Sequence, residues 1–275
     1  MRRTITAFAC LVLVAAVGQG NVFAQDAEYS APETAGPQYR EITEFEVSPG
    51  DAAAFEMTIE KIVSAAELAG LSADFGWLVV RDGSDFTLVY AFESMAYFDD
   101  EEVWMRQFQG TPGEATLMEA FGDFTGLNYS SASHVIKVNP EHSYRPATPI
   151  ENPSYVHVIR NWVAPGQQEA HSENTVKLMA IIEEIGFPYE VYAFEGVIGD
   201  GGLRSYVIPF DNMASFYGDN SMGAYLARHE KAEEWEALLG ARMKLLRDSE
   251  DFDAEVVPGM TYMPEAEMAD AGGSQ

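Results

Sequence analysis

The stretch that decides the fold is VYAFESMAYF at residues 89–98, because nearly the same letters return at residues 207–216 as VIPFDNMASF. Both stretches hold Val and Phe at the same places, followed by Met-Ala and a second Phe. Each predicts a strand that runs into a helix. Agreement of this kind within one chain indicates an internal repeat.

A second pair of stretches fixes the register of the repeat. FEVSPGDAAAF at 45–55 resembles NWVAPGQQEAH at 161–171, and Val, Pro and Gly recur in both. The offset between the copies is 116 residues here and 118 residues in the first pair. We therefore expect a unit of about 110 residues that occurs twice.

Each copy predicts the order strand, helix, strand, strand, helix, strand. The first helix begins at Pro-Gly, since Pro has no N–H to satisfy in a first turn. Its core-facing residues are predicted to be Phe55, Ile59, Ile62, Val63 and Ala66 in one copy and His171, Thr175, Leu178, Ile182 and Ile185 in the other. The hairpins turn at Asp82-Gly83 and around Gly199 to Gly202, where a hairpin is favoured over a phosphate loop because no helix follows.

Finer signals mark the helix ends. Ser48 with Asp51, and Thr111 with Glu114, have the spacing of a capping box. In the second copy, a break at YGDNS precedes one predicted long helix that holds Leu226, Trp235, Leu238, Leu239 and Leu246.

The predicted fold class is α+β, with two tandem βαββαβ ferredoxin-like units. The first unit spans 39–140 and the second spans 155–264, and a Pro-rich linker at 141–154 joins them. Residues 25–38 and 265–275 are polar and lack periodicity, so we expect both segments to be disordered.

The Pro-Gly helix start and the F-[ED]-x-M-A-x-F entry to the second helix, present in both units, resemble the dimeric α/β-barrel superfamily. That superfamily includes the antibiotic-biosynthesis monooxygenases, the NIPSNAP-like proteins and haem-handling relatives. The resemblance covers residues 39–264 and rests on structural residues, not on a catalytic signature. It implies that two four-stranded sheets form one barrel, here within a single chain.

Physical chemistry favours that intramolecular barrel. Helices cover one face of each sheet, and the other face would leave an apolar footprint of roughly 350 Å². Burying both free faces contributes on the order of 10 kcal/mol before ordering costs. The first strands then place Glu44 opposite Arg160, where the two charges either meet or stay at wet strand ends.

The first residues predict export to the periplasm or the medium. Arg2 and Arg3, the apolar run ITAFACLVLVAAVG and the segment NVFAQ are typical of a signal peptide cleaved after Ala24, and a signal anchor is the alternative. Cleavage would remove the single cysteine and change the net charge from −28 to −30. Such a protein repels phosphate backbones and anionic lipids, so we expect no nucleic-acid partner and no membrane insertion after cleavage.

His171 and His157 are the candidate catalytic bases. His171 takes the core position that Phe55 holds in the first copy, where a polar ring is either hydrogen-bonded structure or part of a pocket beneath the helices. His157 and Asn161 share one face of the neighbouring strand, where they orient a ligand or bind ordered water.

The predicted ligand-binding residues are Asn161, Tyr192, Phe194, Tyr206 and His229. The aromatic rings either fill the core or line a slot for a flat molecule. His229 and Glu233 form a metal pair or a solvated ion pair on the predicted long helix. We expect no metal site, since no H-E-x-x-H or C-x-x-C occurs.

The resemblance also implies a cofactor alternative. In haem-degrading relatives an Asn on the first strand and a His on the second helix flank the cofactor, and Asn161 and His229 match these elements in kind. Three hypotheses therefore stay open: a binding protein without cofactor for a small apolar or aromatic molecule, a cofactor-free or haem-linked monooxygenase, and a structural or partner-binding envelope protein.

Overall fold

A computed structural model of the chain describes residues 37–99, 103–150 and 152–264. The predicted signal peptide at 1–24, nearly all of the segment at 25–38, and the predicted tail at 265–275 lie outside the described residues. Within the described part, no helix has the length and apolar content needed to cross a bilayer.

Strands and helices alternate in the predicted order. The strands are β1 (Tyr39–Val47), β2 (Trp77–Asp82), β3 (Asp85–Phe92), β4 (Tyr129–Val138), β5 (Tyr155–Val163), β6 (Tyr192–Ile198), β7 (Leu203–Phe210) and β8 (Leu246–Val256). The helices are α1 (Ala52–Ala69), α2 (Val103–Arg106), α3 (Glu114–Asp123), α4 (Gln168–Glu184), α5 (Met213–Tyr217), α6 (Met222–Arg228) and α7 (Ala232–Met243). Below, the first half means β1 to β4 with their helices, and the second half means β5 to β8 with theirs.

The eight strands close into one antiparallel barrel in the order β1-β3-β2-β8-β5-β7-β6-β4. The two halves meet edge to edge along two seams. The β2–β8 seam has two residue pairs and the β4–β6 seam has four. The predicted mixed α+β fold with a closed barrel inside one chain is therefore confirmed.

The sheet has an inner face toward the barrel axis and an outer face beneath the helices. On the inner face, Val80 of the first half packs with Val156, Val158 and Ala254 of the second. On the outer face, α1 and α3 cover the first half, while α4 and α7 cover the second. The apolar interior is shared between the halves, and each half has its own helices on the outer face.

The centre of the first outer layer is filled by the ring of Phe55. It is fully buried, and its ring centroid lies 5.0–5.7 Å from those of Phe45, Phe86, Phe124 and Tyr129. The predicted core-facing residues of both long helices are buried, apart from a half-buried Val63. His171 is thus buried at the place of an aromatic core residue.

Neither predicted capping box forms. Asp51 precedes α1 in an α-region conformation, whereas a side-chain N-cap requires an extended backbone. Its carboxylate instead accepts from the N–H of Asn128, and Ser48 contributes backbone contacts only. The Thr111 hydroxyl donates to a carbonyl of the preceding turn, and Glu114 accepts from the N–H of residue 110.

The prediction of one long helix in the second half is also wrong. The segment divides into α6 and α7, because Glu230 adopts a left-handed conformation with φ of 56° that a continuous helix does not allow. Leu246 already begins β8. His229 and Glu233 therefore do not stand one turn apart on a single helix, and their predicted pairing fails.

The segment that follows β8 packs on the first half. The backbones of Trp77 and Tyr262 exchange two hydrogen bonds of 2.7 and 3.0 Å, and the Trp77 indole donates to the carbonyl of Met260 at 2.8 Å. Met260 is fully buried within the first outer layer. We call residues 257–262 the C-terminal clasp. After β4, Tyr144 pairs with Val191 of the second half in the same manner.

Candidate functional site

A buried polar cluster lies in the second outer layer, between α4, α7 and the sheet. It consists of His171 and Asn174 from α4 and Arg242 from α7, which are 1%, 7% and 7% exposed. Among the described residues, these three hold all the buried side-chain polar atoms that lack a hydrogen-bond partner: both ring nitrogens of His171, Oδ1 of Asn174, and Nε and Nη2 of Arg242. Buried polar atoms are nearly always paired, so this concentration marks a candidate binding site.

Contacts to its neighbours hold the polar cluster in place. The Asn174 amide nitrogen donates to the carbonyl of Leu238 on α7 at 3.1 Å. The Thr175 hydroxyl donates to the carbonyl of His171 at 2.9 Å and lies 3.2 Å from the hydroxyl of Tyr206. The Arg242 guanidinium in turn lies 4.4 Å from the centroid of the Tyr206 ring, a cation–π contact.

Arg242 supplies the positive charge of the polar cluster. It is the single residue of α7 that is buried. Burial lowers the pKa of Arg242, and nearby Tyr206 opposes that effect. An arginine keeps its proton even so. Since no salt bridge to Arg242 is found within the described residues, its charge faces Tyr206 and no carboxylate.

His171 is neutral at physiological pH. Burial is the main cause that lowers its pKa to about 3, and the positive charges of Arg242 and Arg204, with His142, contribute to the same shift. The neutral ring offers one N–H donor and one acceptor nitrogen. A group with so low a pKa accepts protons poorly at pH 7, so the ring is better suited to hydrogen bonding than to general-base catalysis.

The surroundings of His157 are closer to those of a general base than the surroundings of His171 are. Its Nδ1 lies 2.9 Å from Oδ1 of Asp253, whose other oxygen accepts from the hydroxyl of Tyr217 at 2.6 Å. The ring also packs against Phe216, 5.7 Å away. When Nδ1–H donates to the carboxylate, the lone pair resides on Nε2. A carboxylate that orients an imidazole is the usual support of a general base.

The predicted ligand-binding residues do not form one slot. Ala193 pairs with Tyr206, so Tyr206 lies on the outer face, whereas Tyr192 and Phe194 point the opposite way because side chains alternate along a strand. Phe194 packs with the inner group that contains Leu203. The three aromatic residues are therefore divided between the two faces of the sheet.

Asn161 lies on the outer face, near the polar cluster but with a partner of its own. It is 3% exposed, and its amide oxygen accepts from the hydroxyl of Ser249 at 2.8 Å. In the β5–β7 register Asn161 opposes Arg204, one step along the face from the Ile159–Tyr206 pair.

His229 lies apart from these residues. It is exposed at the end of α6 and stacks on Tyr225 at 6.4 Å. Since Asn161 is buried and bonded while His229 faces solvent, the two do not fit as the flanking residues of a haem. Within the described ranges there is also no group of three or more His, Cys, Asp or Glu side chains arranged for a metal ion.

The inner face holds one contact that the register allowed. Arg160 lies 2.5 Å from Oε1 of Glu44 and 3.3 Å from Oε1 of Glu250, and it covers the ring of Phe252 at 5.1 Å. This ion pair joins the first strands of the two halves across the barrel.

Sequence reasoning missed Asn174 and Arg242, because each stands in a helix rich in polar residues where only the packing of α7 on α4 shows which of them is buried. It also missed Glu41, which lies on the outer face of β1 opposite Tyr90. Burial raises the pKa of Glu41 to about 7. The first outer layer is therefore not uniformly apolar. The strand alternation of β1 was the available signal, since Glu41 falls in phase with buried Phe45.

No protein-family model and no curated protein matches the chain. Among solved structures, a candidate monooxygenase from Fusobacterium nucleatum is similar at 12% identity and a TM-score of 0.51, covering 81% of this chain and 94% of its own. A candidate monooxygenase from Lactobacillus acidophilus gives 11% identity, coverage of 82% and 96%, and a TM-score of 0.49. A mutant chlorite dismutase from Candidatus Nitrospira defluvii, in complex with cyanide, gives 12% identity and a TM-score of 0.45, and the match covers 82% of this chain and 93% of the dismutase chain.

At these identities a likeness concerns the fold and not the chemistry. The match to the Fusobacterium protein extends over most of both chains and agrees with the closed barrel described above. The chain is thus a mixed α+β protein whose fold is similar to that of the dimeric α/β-barrel proteins.

Proposed function

We propose that the protein is exported and soluble, and that it binds a small apolar or aromatic molecule at the polar cluster of the second half. One observation carries this proposal. Among the described residues, the buried side-chain nitrogen and oxygen atoms that lack a hydrogen-bond partner all belong to His171, Asn174 and Arg242. The equivalent centre of the first half is filled by Phe55. A ligand would satisfy the polar atoms, and Tyr206 with the surrounding apolar residues would supply its walls.

We further propose that the chain is a tandem pair of ferredoxin-like units in which one polypeptide takes the place of two subunits. The supporting observations are the same element order in both halves and the two edge-to-edge seams. In this arrangement each outer layer is a potential site, and the unpaired buried polar atoms lie in the second.

A thermal-shift screen with neutral aromatic and quinone compounds tests the binding proposal. Some members should raise the melting temperature of the wild type, since binding to the folded state alone stabilises it. The variant His171→Phe, which copies the first half, should lose these shifts. His229→Ala, a change at an exposed histidine, should keep them.

Two outcomes count against this assignment. Unchanged ligand shifts in His171→Phe would move the binding site away from the polar cluster. No shift with any compound would favour the alternative of a structural or partner-binding envelope protein.

A cofactor-free monooxygenase is a second candidate function, favoured by the oriented His157–Asp253 pair and by the fold shared with a candidate monooxygenase. His157 would take a proton from a bound phenol, and the resulting anion would react with molecular oxygen. Oxygen consumption with phenolic compounds should then fall about 100-fold or more in His157→Gln. Consumption that His157→Gln leaves unchanged would exclude this role, and a Soret band on adding haemin would revive the haem-linked form.

A further inference from the structure

The two unpaired nitrogens of Arg242 lie on one edge of its guanidinium group. Nε–H and one N–H of Nη2 point in the same direction and are separated by the spacing of two carboxylate oxygens. Both atoms are buried without a hydrogen-bond partner in the described residues. A bidentate carboxylate is the group that would satisfy both at once.

The charge of the polar cluster decides which anion fits. Arg242 contributes one positive charge, and Asn174 is neutral. His171 is also neutral near pH 7, because burial and the neighbouring positive charges lower its pKa to about 3. The net charge of the cluster is thus one, which matches a monocarboxylate better than a phosphate dianion.

The remaining unpaired atoms call for a hydrogen-bond donor on the ligand. Oδ1 of Asn174 accepts only, and the neutral ring of His171 accepts at one nitrogen and donates at the other. A hydroxyl group can donate to either acceptor and accept from the ring N–H. Because the Tyr206 ring lies beside Arg242, the body of the ligand would contact an aromatic surface.

Access to the polar cluster is through α7. This helix buries Arg242 alone, while Trp235 and Leu238 are half-buried and most of its other residues are exposed. The chain breaks at Glu230 just before it. An element with so little buried apolar surface is at the low-stability end of a fold, so it can move aside at modest cost.

From these observations we infer that the polar cluster binds a small hydroxylated aromatic monocarboxylic acid, whose carboxylate pairs with Arg242 and whose hydroxyl bonds to Asn174 and His171. This inference rests on the proposed binding site and specifies its ligand class. It makes Arg242 both the counter-ion of the ligand and part of the cover over it.

Calorimetric titration of the wild type with 4-hydroxybenzoate, 4-hydroxybenzamide and benzoate tests the inference. The hydroxy acid should bind roughly 10- to 100-fold more tightly than its amide, the ratio expected for hydrogen bonds to a charged group. Benzoate should bind more weakly than 4-hydroxybenzoate, because Asn174 and His171 then lack a donor.

Variants separate the roles of charge and shape. Arg242→Met should bind the acid and the amide equally, and Arg242→Lys should restore only part of the preference, since an ammonium group lacks the planar fork. Lys244→Met, an exposed change just beyond α7, should behave as the wild type. Arg242→Met should also melt at a higher temperature than the wild type without ligand, since a buried unpaired cation is removed.

The outcomes distinguish the inference from the proposed function. If acid and amide bind equally to the wild type, and His171→Phe weakens both, the polar cluster is still the binding site and the carboxylate preference is overturned. If the preference persists in Arg242→Met, Arg242 is not the counter-ion. If no compound binds at millimolar concentration, the inference is overturned. The thermal-shift screen then tests separately whether the polar cluster binds neutral aromatic compounds.

Discussion

At the scale of single residues, Phe55 and His171 distinguish the centres of the two outer layers. Phe55 packs among four aromatic rings, and His171 takes its place in the second half without a partner for either nitrogen. A neutral imidazole that is buried unpaired costs about 1–3 kcal/mol. The second half is therefore less stable at its centre than its first-half counterpart, in return for hydrogen-bonding groups that a ligand can use.

His171→Phe should raise the free energy of unfolding, and more so in acid. The folded state holds His171 unprotonated down to about pH 3, whereas the unfolded chain takes up a proton below about pH 6.5. The wild type therefore loses stability as the pH falls from 6.5 toward 3. At pH 5 the gain of the variant should exceed its gain at pH 8 by about 2 kcal/mol in urea unfolding.

The reverse change, Phe55→His, is the matched control. It should lower stability by about 3 kcal/mol, because it puts a polar ring among aromatic ones. A gain from His171→Phe that is the same at both pH values would contradict the low pKa.

Glu41 should show the opposite pH dependence. Because burial raises its pKa to about 7, the folded protein binds this proton more tightly than the unfolded chain does. Stability is then lost as the pH rises from about 4.5 to about 7. Glu41→Gln should stabilise the protein by about 2 kcal/mol at pH 8 and have little effect at pH 4, measured by urea unfolding.

Glu46→Gln, at the exposed end of the same strand, controls for loss of a charge and should stay within about 0.5 kcal/mol at both pH values. An effect of Glu41→Gln that is equal at pH 4 and pH 8 would exclude a raised pKa.

Which residues are buried could be predicted from the sequence only where a periodic apolar face exists. The apolar residues of α1 and α4 recur at helical spacing. The position of His171 could be predicted because the repeat aligns it with Phe55. Arg242 belongs to a helix of mostly polar residues, so its burial depends on how α7 docks against α4. Docking is a tertiary property that neither propensity nor pattern contains.

At the scale of elements, whether a side chain caps a helix depends on the backbone conformation at the helix start, and residue spacing is not sufficient. Asn212 and Ser221 precede α5 and α6 in an extended conformation, and their side chains accept from the N–H three residues later at 2.9 and 3.2 Å. Ser48 and Thr111 have the right spacing but the wrong backbone conformation after them. The repeat predicted the order of the elements, whereas the caps and the break at Glu230 depend on dihedral angles that the letters do not determine.

Ser221→Ala should therefore lower the free energy of unfolding by about 1 kcal/mol, the usual cost of losing an N-cap. Ser48→Ala should change it by less than about 0.5 kcal/mol, because its hydroxyl caps no helix. Urea unfolding of both variants measures the difference. Equal losses would show that Ser48 caps α1 after all.

At the scale of the whole molecule, the halves are joined by more than the two seams. The inner face mixes apolar residues of both, Arg160 reaches Glu44 across the barrel, and the C-terminal clasp fills the first outer layer. The barrel could be predicted because a repeated unit leaves an apolar face that needs a cover. The clasp could not, since a short stretch without periodicity gives no signal for where it packs.

Met260→Ala should destabilise the protein by about 3 kcal/mol, because a fully buried side chain of the clasp leaves a cavity. Met263→Ala, three residues later and 71% exposed, should change stability by less than about 0.5 kcal/mol. Chemical unfolding followed by tryptophan fluorescence suits this comparison, since Trp77 donates to Met260. Equal effects of the two substitutions would show that the clasp does not contribute to the core.

The clasp also sets an order of events during synthesis. A ribosome delivers the N-terminal half first, yet that half lacks Val257, Met260 and Tyr262 from its core until these residues have left the ribosome. A nascent chain stalled before residue 257 would hold the first sheet with an open cleft beside Trp77. The first half therefore completes its core only after residues 257–262 have emerged.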